Sequence, residues 1–345
     1  MSKGLSPSEP KVTVFMAVYN REAFVGDAVR SVLAQTFRDF ELLIIDDGST
    51  DRTVEIVERF RDPRIRLLRH ETNRGIPVTR NHGLLAARGG YFAILDSDDT
   101  AFPRRLELQT AFLDANPKVA GVGSWALRIE ADGRPASPAI RPWRPRDIRA
   151  RIPFATCFKN PTMTARTAAM REFGYREEFV ICQDIDLWNR VSVKYALANL
   201  PRFLVRYRLG GTSHQDDELA TRLKKQATAD QLRDLALDFD DEDLDRHHRL
   251  RNPKNFRFDR EYADWCEDWL MRLLAANEKA RLYPEPEFRR AAAERWWRLA
   301  LVARSSVPVA RFSRQRTFRR ELAGVLGGVV RLNGRRVASR FSFLG

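Results

Sequence analysis

"FAILDSDDTAFP", residues 92–103, runs four apolar residues straight into Asp96, Asp98 and Asp99. A short apolar run bounded by polar residues reads as a buried strand. Three carboxylates at its end repel one another and lose solvation wherever the strand end is covered. Such an end calls for a positive partner or for open water. The pattern is not isolated. "FELLIIDDGST", residues 40–50, is another apolar run that stops on Asp46 and Asp47, and "VTVFMAV", residues 12–18, stops on Tyr19 and Asn20.

Between these strands lie helical stretches. "FVGDAVRSVLAQT" spaces Phe24, Val25, Ala28, Val29 and Val32 for one helix face, and "DRTVEIVERFR" does the same with Val54, Val57 and Phe60. "IRLLRH" adds a strand, "PVTRNHGLLAAR" a helix, and "YFAILD" the strand that stops on Asp96. This alternation predicts an α/β fold, a Rossmann-like, doubly wound and mostly parallel sheet with helices on both faces. In such sheets ligands bind beyond the carboxyl ends of the strands, where this chain keeps its acids. Ser49 and Asp51 read as turn or cap residues.

After residue 103 the spacing predicts a helix over 104–116, a strand over 119–130 and a Pro- and Arg-rich surface loop over 132–147. "QDIDLWNRVS" begins a helix with Leu187, Trp188 and Val191 inward. Beyond about Thr221 the alternation ends, and the helix of "EYADWCEDWLMRLLAA" puts Tyr262, Trp265, Trp269 and Leu273 on one core-facing stripe. The expected organisation is a flexible N-terminus at 1–11, an α/β domain at 12–220, and a mainly helical, Arg-rich extension at 221–345.

Composition narrows the class. The chain has 345 residues, 43% of them hydrophobic, enough for a sizeable core. No stretch approaches the roughly 18–20 apolar residues of a membrane-spanning helix, and "MSKGLSPSEPK" lacks the apolar core of a secretory signal. Three scattered cysteines, Cys157, Cys182 and Cys266, fit reduced thiols, so a cytoplasmic protein is expected. The net charge of +14 is uneven: from Arg304 onward there are ten arginines, no lysine or Asp, and one Glu. A solvated basic face accounts for this, as does an anionic partner. Residues 311–336 mix arginine with an apolar centre, which suits peripheral contact with an anionic membrane at its inner face better than nucleic-acid readout.

The acids at the strand end are hard oxygen ligands, suited to Mg2+ or Mn2+. Two or three carboxylates seldom cage Mg2+ alone, and substrate phosphates usually complete the shell. No G-x-x-x-x-G-K-[ST] loop and no G-x-G-x-x-G follows a strand. A metal-held diphosphate is the expected ligand.

"VTVFMAVYNREAFVGDAVRSVLAQTFRDFELLIIDDGSTDRT" and "NRGIPVTRNHGLLAARGGYFAILDSDDTAFPRRLE" closely resemble the family 2 glycosyltransferases with the GT-A fold, and the resemblance runs from about Val12 to His214. It implies an inverting, metal-dependent transfer of a sugar from a nucleoside-diphosphate sugar, UDP first, to a hydroxyl acceptor, a glycan or glycolipid in cell-surface polysaccharide or glycolipid synthesis. Carried onto this chain, it makes Asp98 the metal ligand, with Asp96 nearer the ribose and Asp99 an alternative ligand. Val18 and Tyr19 flank the base, and Asp47 matches the acid that hydrogen-bonds uracil, whose imide N–H a carboxylate can accept. Arg80 faces phosphate or nucleoside. In "VRYRLGGTSHQD" either His214 is a third metal ligand or Arg208 holds phosphate, and chain order makes Asn160 to Met163 a candidate acceptor-side wall.

The family places its catalytic base in a Glu-Asp pair heading a helix, matched here by Gln183 and Asp184 in "CQDIDLWNR". Asp184 is thus the expected base; the structural alternative is a helix cap, with Asp186 in the first turn. Two departures stand out: Ala17 replaces the common Pro before "VYN", and Gln183 replaces Glu. No Q-x-x-R-W element is present, so single-sugar transfer is expected. A sugar-phosphate nucleotidyltransferase would show a Gly-rich N-terminal loop, which "AVYNREAF" does not supply. A basic membrane- or nucleic-acid-binding protein on an inactive GT-A fold is the remaining reading.

Overall fold

The computed structural model describes residues 9–210, 217–251 and 259–302; His214 and the arginine-rich segment 311–336 lie outside the described residues. The chain divides into two compact units. One comprises the residues up to Ile148 with Thr156–Ala227, the other Arg149–Ala155 with the residues from Thr228.

In the first unit β1 (Val12–Val18), α1 (Val25–Leu33), β2 (Phe40–Asp46), α2 (Thr53–Glu58), β3 (Ile65–Arg69), α3 (Ile76–Ala86) and β4 (Tyr91–Ile94) alternate as the spacing predicts. Then come β5 (Thr100–Ala101), α4 (Arg105–Ala115), β6 (Val119–Ile129), β7 (Pro135–Ala139), α5 (Pro145–Arg151, its last three residues counted with the second unit), β8 (Thr164–Arg166), α6 (Thr167–Phe173), α7 (Gln183–Lys194) and β9 (Ala196–Arg208). One sheet runs β3-β2-β1-β4-β8-β6-β9-β5, with β7 beside β6.

The first four strands are parallel. Leu42, Leu43, Ile44 and Ile45 in β2 are all fully buried, as a strand covered on both faces requires. Each such side chain contributes roughly 1.5–3 kcal/mol on burial. The other half of the sheet is mixed: β8 is antiparallel to both β4 and β6, while β6 and β9 are parallel. The mostly parallel expectation therefore describes the half that builds the acidic strand ends. Within the segment read as a surface loop, residues 135–139 form β7, which returns on β6 through a turn at Gly133, φ +87°. Pro135 and Pro138 are accommodated because β7 pairs on one side only.

Two features place the acids. Asp96–Asp99 form the turn between β4 and β5, closed by the Asp99 N–H donating to the Asp96 carbonyl at 3.1 Å. β5 then pairs with the end of β9, Thr100 opposite Arg206. Beneath the turn Arg105 is fully buried, donating to the carbonyls of Ile94 (2.7 Å) and Met163 (3.2 Å) and to Gln109 Oε1 (3.0 Å). Burial pushes this guanidinium down to about 9.

In the second unit α9 (Asp241–Arg251), α10 (Arg260–Ala280) and α11 (Glu287–Val302) follow α8 (Asp217–Asp234). Tyr262, Trp269 and Leu273 are buried along α10, and Trp265 stacks on Trp269 with ring centroids 5.3 Å apart. These tryptophans are core. Trp269 Nε1–H donates to His247 Nδ1 at 2.9 Å, so the imidazole proton sits on Nε2, which donates to the Pro153 carbonyl at 2.9 Å. Burial holds this histidine neutral, pushing it down to about 3. The unfolded chain thus binds one proton more than the native state between the ordinary histidine value and pH 3. Stability is full above about pH 6.5 and falls below it by about 1.4 kcal/mol per pH unit. Urea midpoints across pH 4–7 test this against His247→Gln, whose acid slope should be shallower; equal slopes would rule the histidine out. Among the described residues no helix is long and apolar enough to cross a membrane.

Candidate active site

The ends of β1 and β2 lie side by side, Val18 opposite Asp46 in the register. Asp46 accepts from the Ser49 N–H and lies 3.7 Å from Arg69. Asp47 follows, buried, with its Oδ1 accepting from the Arg74 N–H (3.0 Å) and facing His70 Nδ1 (2.7 Å), and its Oδ2 accepting from the Gly75 N–H (2.9 Å). Asp47 therefore fastens the 70–75 loop to the strand end. Glycines make this approach possible: a Cβ on Gly48 (φ +77°) would lie 2.7 Å from the Thr72 backbone. Ser49 and Asp51 are turn residues as expected, Ser49 Oγ accepting from the Asn20 N–H and Asp51 from the Glu22 and Thr53 N–H groups.

Asp47→Asn removes one acceptor from a site with three donors. An unmade buried hydrogen bond costs about 1–3 kcal/mol. The variant is expected to unfold at lower urea, and an unchanged midpoint would contradict the clamp.

Beyond Asp47 the chain leaves a cavity of about 560 Å3, within the first unit. Val18, Tyr19, Asp47, Arg80, Asp96, Asp98 and Asp184 all line it. Tyr19 is exposed and follows Val18, whose carbonyl accepts from the Asp47 N–H at 2.8 Å.

Arg80, on α3, is buried. Its Nη2 donates to Asp96 Oδ1 at 3.1 Å, its guanidinium lies 5.5 Å over the Tyr175 ring, and its Nη1 has no partner. Burial raises the Asp96 carboxyl, Arg80 opposes the rise, and Asp98 and Asp184 add to it. Asp99 is buried deeper and does not line the cavity. Its Oδ1 accepts from the Arg208 N–H at 2.8 Å, its Oδ2 has no partner, and burial with the fields of Asp96 and Asp98 raises it well above the usual range. Arg208 also donates from Nε to the Asp98 carbonyl at 3.0 Å, so it braces the turn. Only Asp98 of the three has a half-buried carboxylate that faces the cavity with no hydrogen bond or ion pair to a described residue.

Across the cavity, α7 opens after Cys182 in the left-handed region, φ 58°. Its thiol is pushed up to about 11, chiefly by burial. Gln183 is buried and its Oε1 is unpartnered. Asp184 caps nothing: the helix start has no side-chain cap, and this carboxylate meets no described hydrogen-bond or ion-pair partner. Asp186 differs. It is buried and held by Arg190 (2.7 and 2.9 Å) and Arg176 (3.4 Å).

The donor set fits a divalent cation in one particular way. Among the described residues no group of three His, Cys, Asp or Glu is arranged to hold a metal. Asp98 presents a hard, uncommitted carboxylate at the cavity edge, so a cation held there would take its remaining ligands from water and substrate oxygens. Sequence reading did not single out Lys159, Arg141 and Tyr207, which also line the cavity. Arg141 sits in the stretch read as a surface loop, and nothing in its spacing marks it as a cavity residue.

A family model described as Glycosyl transferase family 2 matches residues 13–179. An uncharacterised glycosyltransferase of Methanocaldococcus jannaschii is 30% identical over 228 residues, 63% of this chain and 76% of that protein. The structure of S. aureus TarS 1–349 in complex with UDP-GlcNAc is similar with a TM-score of 0.57 at 18% identity, over 89% of this chain and 92% of that one; the chain spans 55% of a longer TarS structure. The mannosyltransferase PcManGT of Pyrobaculum calidifontis, in complex with GDP-Man and Mn2+, gives 0.53 at 18% identity over 93% and 88%. At these identities the solved structures speak for the fold, which is GT-A with a helical C-terminal region. The family match falls on the strands whose ends build the cavity, and with the archaeal relative it shows that the chain belongs to glycosyltransferase family 2.

Proposed function

We propose that this glycosyltransferase moves one sugar from a nucleoside-diphosphate sugar to a hydroxyl of a glycan or glycolipid, inverting the anomeric carbon, with a divalent cation at Asp98 and Asp184 as base. One observation carries the reading. Asp98 and Asp184 face the same cavity and neither is held by a described residue, while Asp46, Asp47, Asp96, Asp99 and Asp186 are all engaged. Carboxylates kept uncommitted in a cleft mark functional positions.

The donor end suits a nucleotide. Tyr19 offers a stacking face and Val18 an apolar wall. Asp47 has about four lone-pair sites against three contacts, which leaves room for one imide N–H. The related structures hold UDP-GlcNAc in TarS and GDP-Man with Mn2+ in PcManGT. Arg80 spends one nitrogen on Asp96 and keeps Nη1 for a donor oxygen.

A bound divalent cation supplies charge neutralisation as the diphosphate departs. Asp184 takes the acceptor hydroxyl's proton as that oxygen attacks the anomeric carbon. The bond from this carbon to the diphosphate oxygen breaks, and the nucleoside diphosphate leaves with the electron pair. Attack opposite the leaving group inverts the centre. Hydrolysis of UDP-, GDP- and dTDP-sugars, with Mn2+ and with EDTA, tests the reading. Free nucleoside diphosphate, formed with Mn2+ and lost with EDTA, is expected; nucleoside triphosphate formed only when pyrophosphate is added would point to nucleotidyl transfer instead.

A further inference from the structure

The cavity wall that carries Asn160 holds an excess of positive charge that the transfer chemistry does not use. Arg141 follows β7, and Lys159 precedes the short turn Asn160–Thr162; both line the cavity. Arg128 stands close enough in β6 to oppose the charge of each. None of the three forms an ion pair with a described residue. Arg141 donates from Nη1 to the neighbouring Ile140 carbonyl at a long 3.4 Å, and its buried Nε has no partner. Lys159 places Nζ over the Tyr207 ring, 4.3 Å from its centroid. Arg128 donates to Ser137 Oγ at 3.1 Å. Beside them the Asn160 amide nitrogen is buried and unpartnered.

Arg141 and Lys159 are half-buried, and cations taken partly out of water without counter-ions are costly, with mutual repulsion adding to the cost. Burial lowers both Arg141 and Lys159, and each is lowered further by neighbouring cations; Asp184 and Asp99 offset this at Lys159 by their field alone. A planar guanidinium with a free edge, a nearby ammonium and an amide N–H form a receptor for an oxyanion. The donor diphosphate already has Asp98's cation and the free Arg80 nitrogen. Asp184 is near enough to act on Lys159, so this wall adjoins the carboxylate that receives the acceptor hydroxyl.

We propose that the acceptor of this transferase is anionic, and that Arg141 and Lys159 seat its phosphate or carboxylate group while a neighbouring hydroxyl faces Asp184. The proposal rests on the transferase reading and specifies its acceptor class.

Calorimetry on the full chain, saturated with Mg2+ and whichever of UDP, GDP or dTDP it binds, tests it. The probes are glycerol 3-phosphate, methyl β-glucuronide and, as neutral control, methyl β-glucoside. The loaded protein is expected to bind at least one anionic probe and not the glucoside. The tighter of the two anions identifies phosphate or carboxylate as the group recognised. Arg141→Gln and Lys159→Met are each expected to weaken that binding roughly tenfold to a hundredfold, the range of a charge-assisted hydrogen bond. Nucleotide affinity should stay within about twofold, since the donor contacts remain. Lys159→Met keeps the buried stem and decides the question if Arg141→Gln does not fold.

No affinity for either anion, equal affinity for the glucoside, or anion affinity unchanged in the folded variants would overturn the proposal. So would a matching loss of nucleotide affinity, which would assign these cations to the donor. A wild-type chain that binds no nucleoside diphosphate would instead remove the transferase reading, and this proposal with it.

Discussion

Asp184→Asn is expected to lower sugar transfer by about 10³-fold, within the range general-base catalysis contributes, while nucleotide affinity changes little. Asparagine keeps the size of the side chain and removes its ability to take a proton. The loss should be clean because no neighbour can stand in. Asp186, two residues on, is buried and committed to Arg190 and Arg176. Asp96 is tied to Arg80. Gln183, a neutral amide, cannot take the proton. Since Asp184 makes no described hydrogen bond, removing its charge breaks no contact, and the variant should still fold. Steady-state transfer with a fixed donor, beside a thermal melt, separates the outcomes. Undiminished turnover would remove Asp184 as the base.

Asp98→Asn should abolish the metal-dependent part of nucleotide binding, a loss of about 10²-fold or more, as expected when several kcal/mol of cation contact disappear. Asp99→Asn should cost far less. Asp99 lies off the cavity, and an asparagine Oδ1 can still accept from the Arg208 N–H. The comparison therefore separates the two carboxylates that the motif alone left as alternatives. Equal losses in both variants would mean that the turn binds its cation through Asp99 as well.

How far the molecule was legible follows from what each residue's neighbours decide. β1, β2 and β4 could be read because a parallel strand buried on both faces is a continuous apolar run, and the polar residues stand out where it stops; β3, half-buried at the sheet edge, is read from the strand–helix alternation. β5, β7 and β9 could not. β5 is two residues long, β7 carries two prolines, and their strand character comes only from pairing with β9 and β6.

The site divides similarly. The residues carried over from the family motifs, Val18, Tyr19, Asp47, Arg80, Asp96, Asp98 and Asp184, line one cavity. Spacing could not distinguish Asp184 from Asp186, since both are first-turn acids. The difference lies in Arg176 and Arg190, which reach only one of them. Arg105 looked like an ordinary helix residue, yet it is buried under the acidic turn because the carbonyls of Ile94 and Met163 converge there. His70, which joins Asp47 to His82 at 2.9 Å, left no signal beyond a polar residue at a strand end.

The central claim is that the uncommitted carboxylate at the exit of β4 recruits a cation that a donor diphosphate completes. Titration calorimetry of UDP, GDP and dTDP, each with Mn2+ and with EDTA, tests it most directly. At least one nucleotide should bind tightly with Mn2+ and lose at least about tenfold in affinity without it. Affinity indifferent to Mn2+ for all three would contradict the claim and leave Asp98 a residue of the turn.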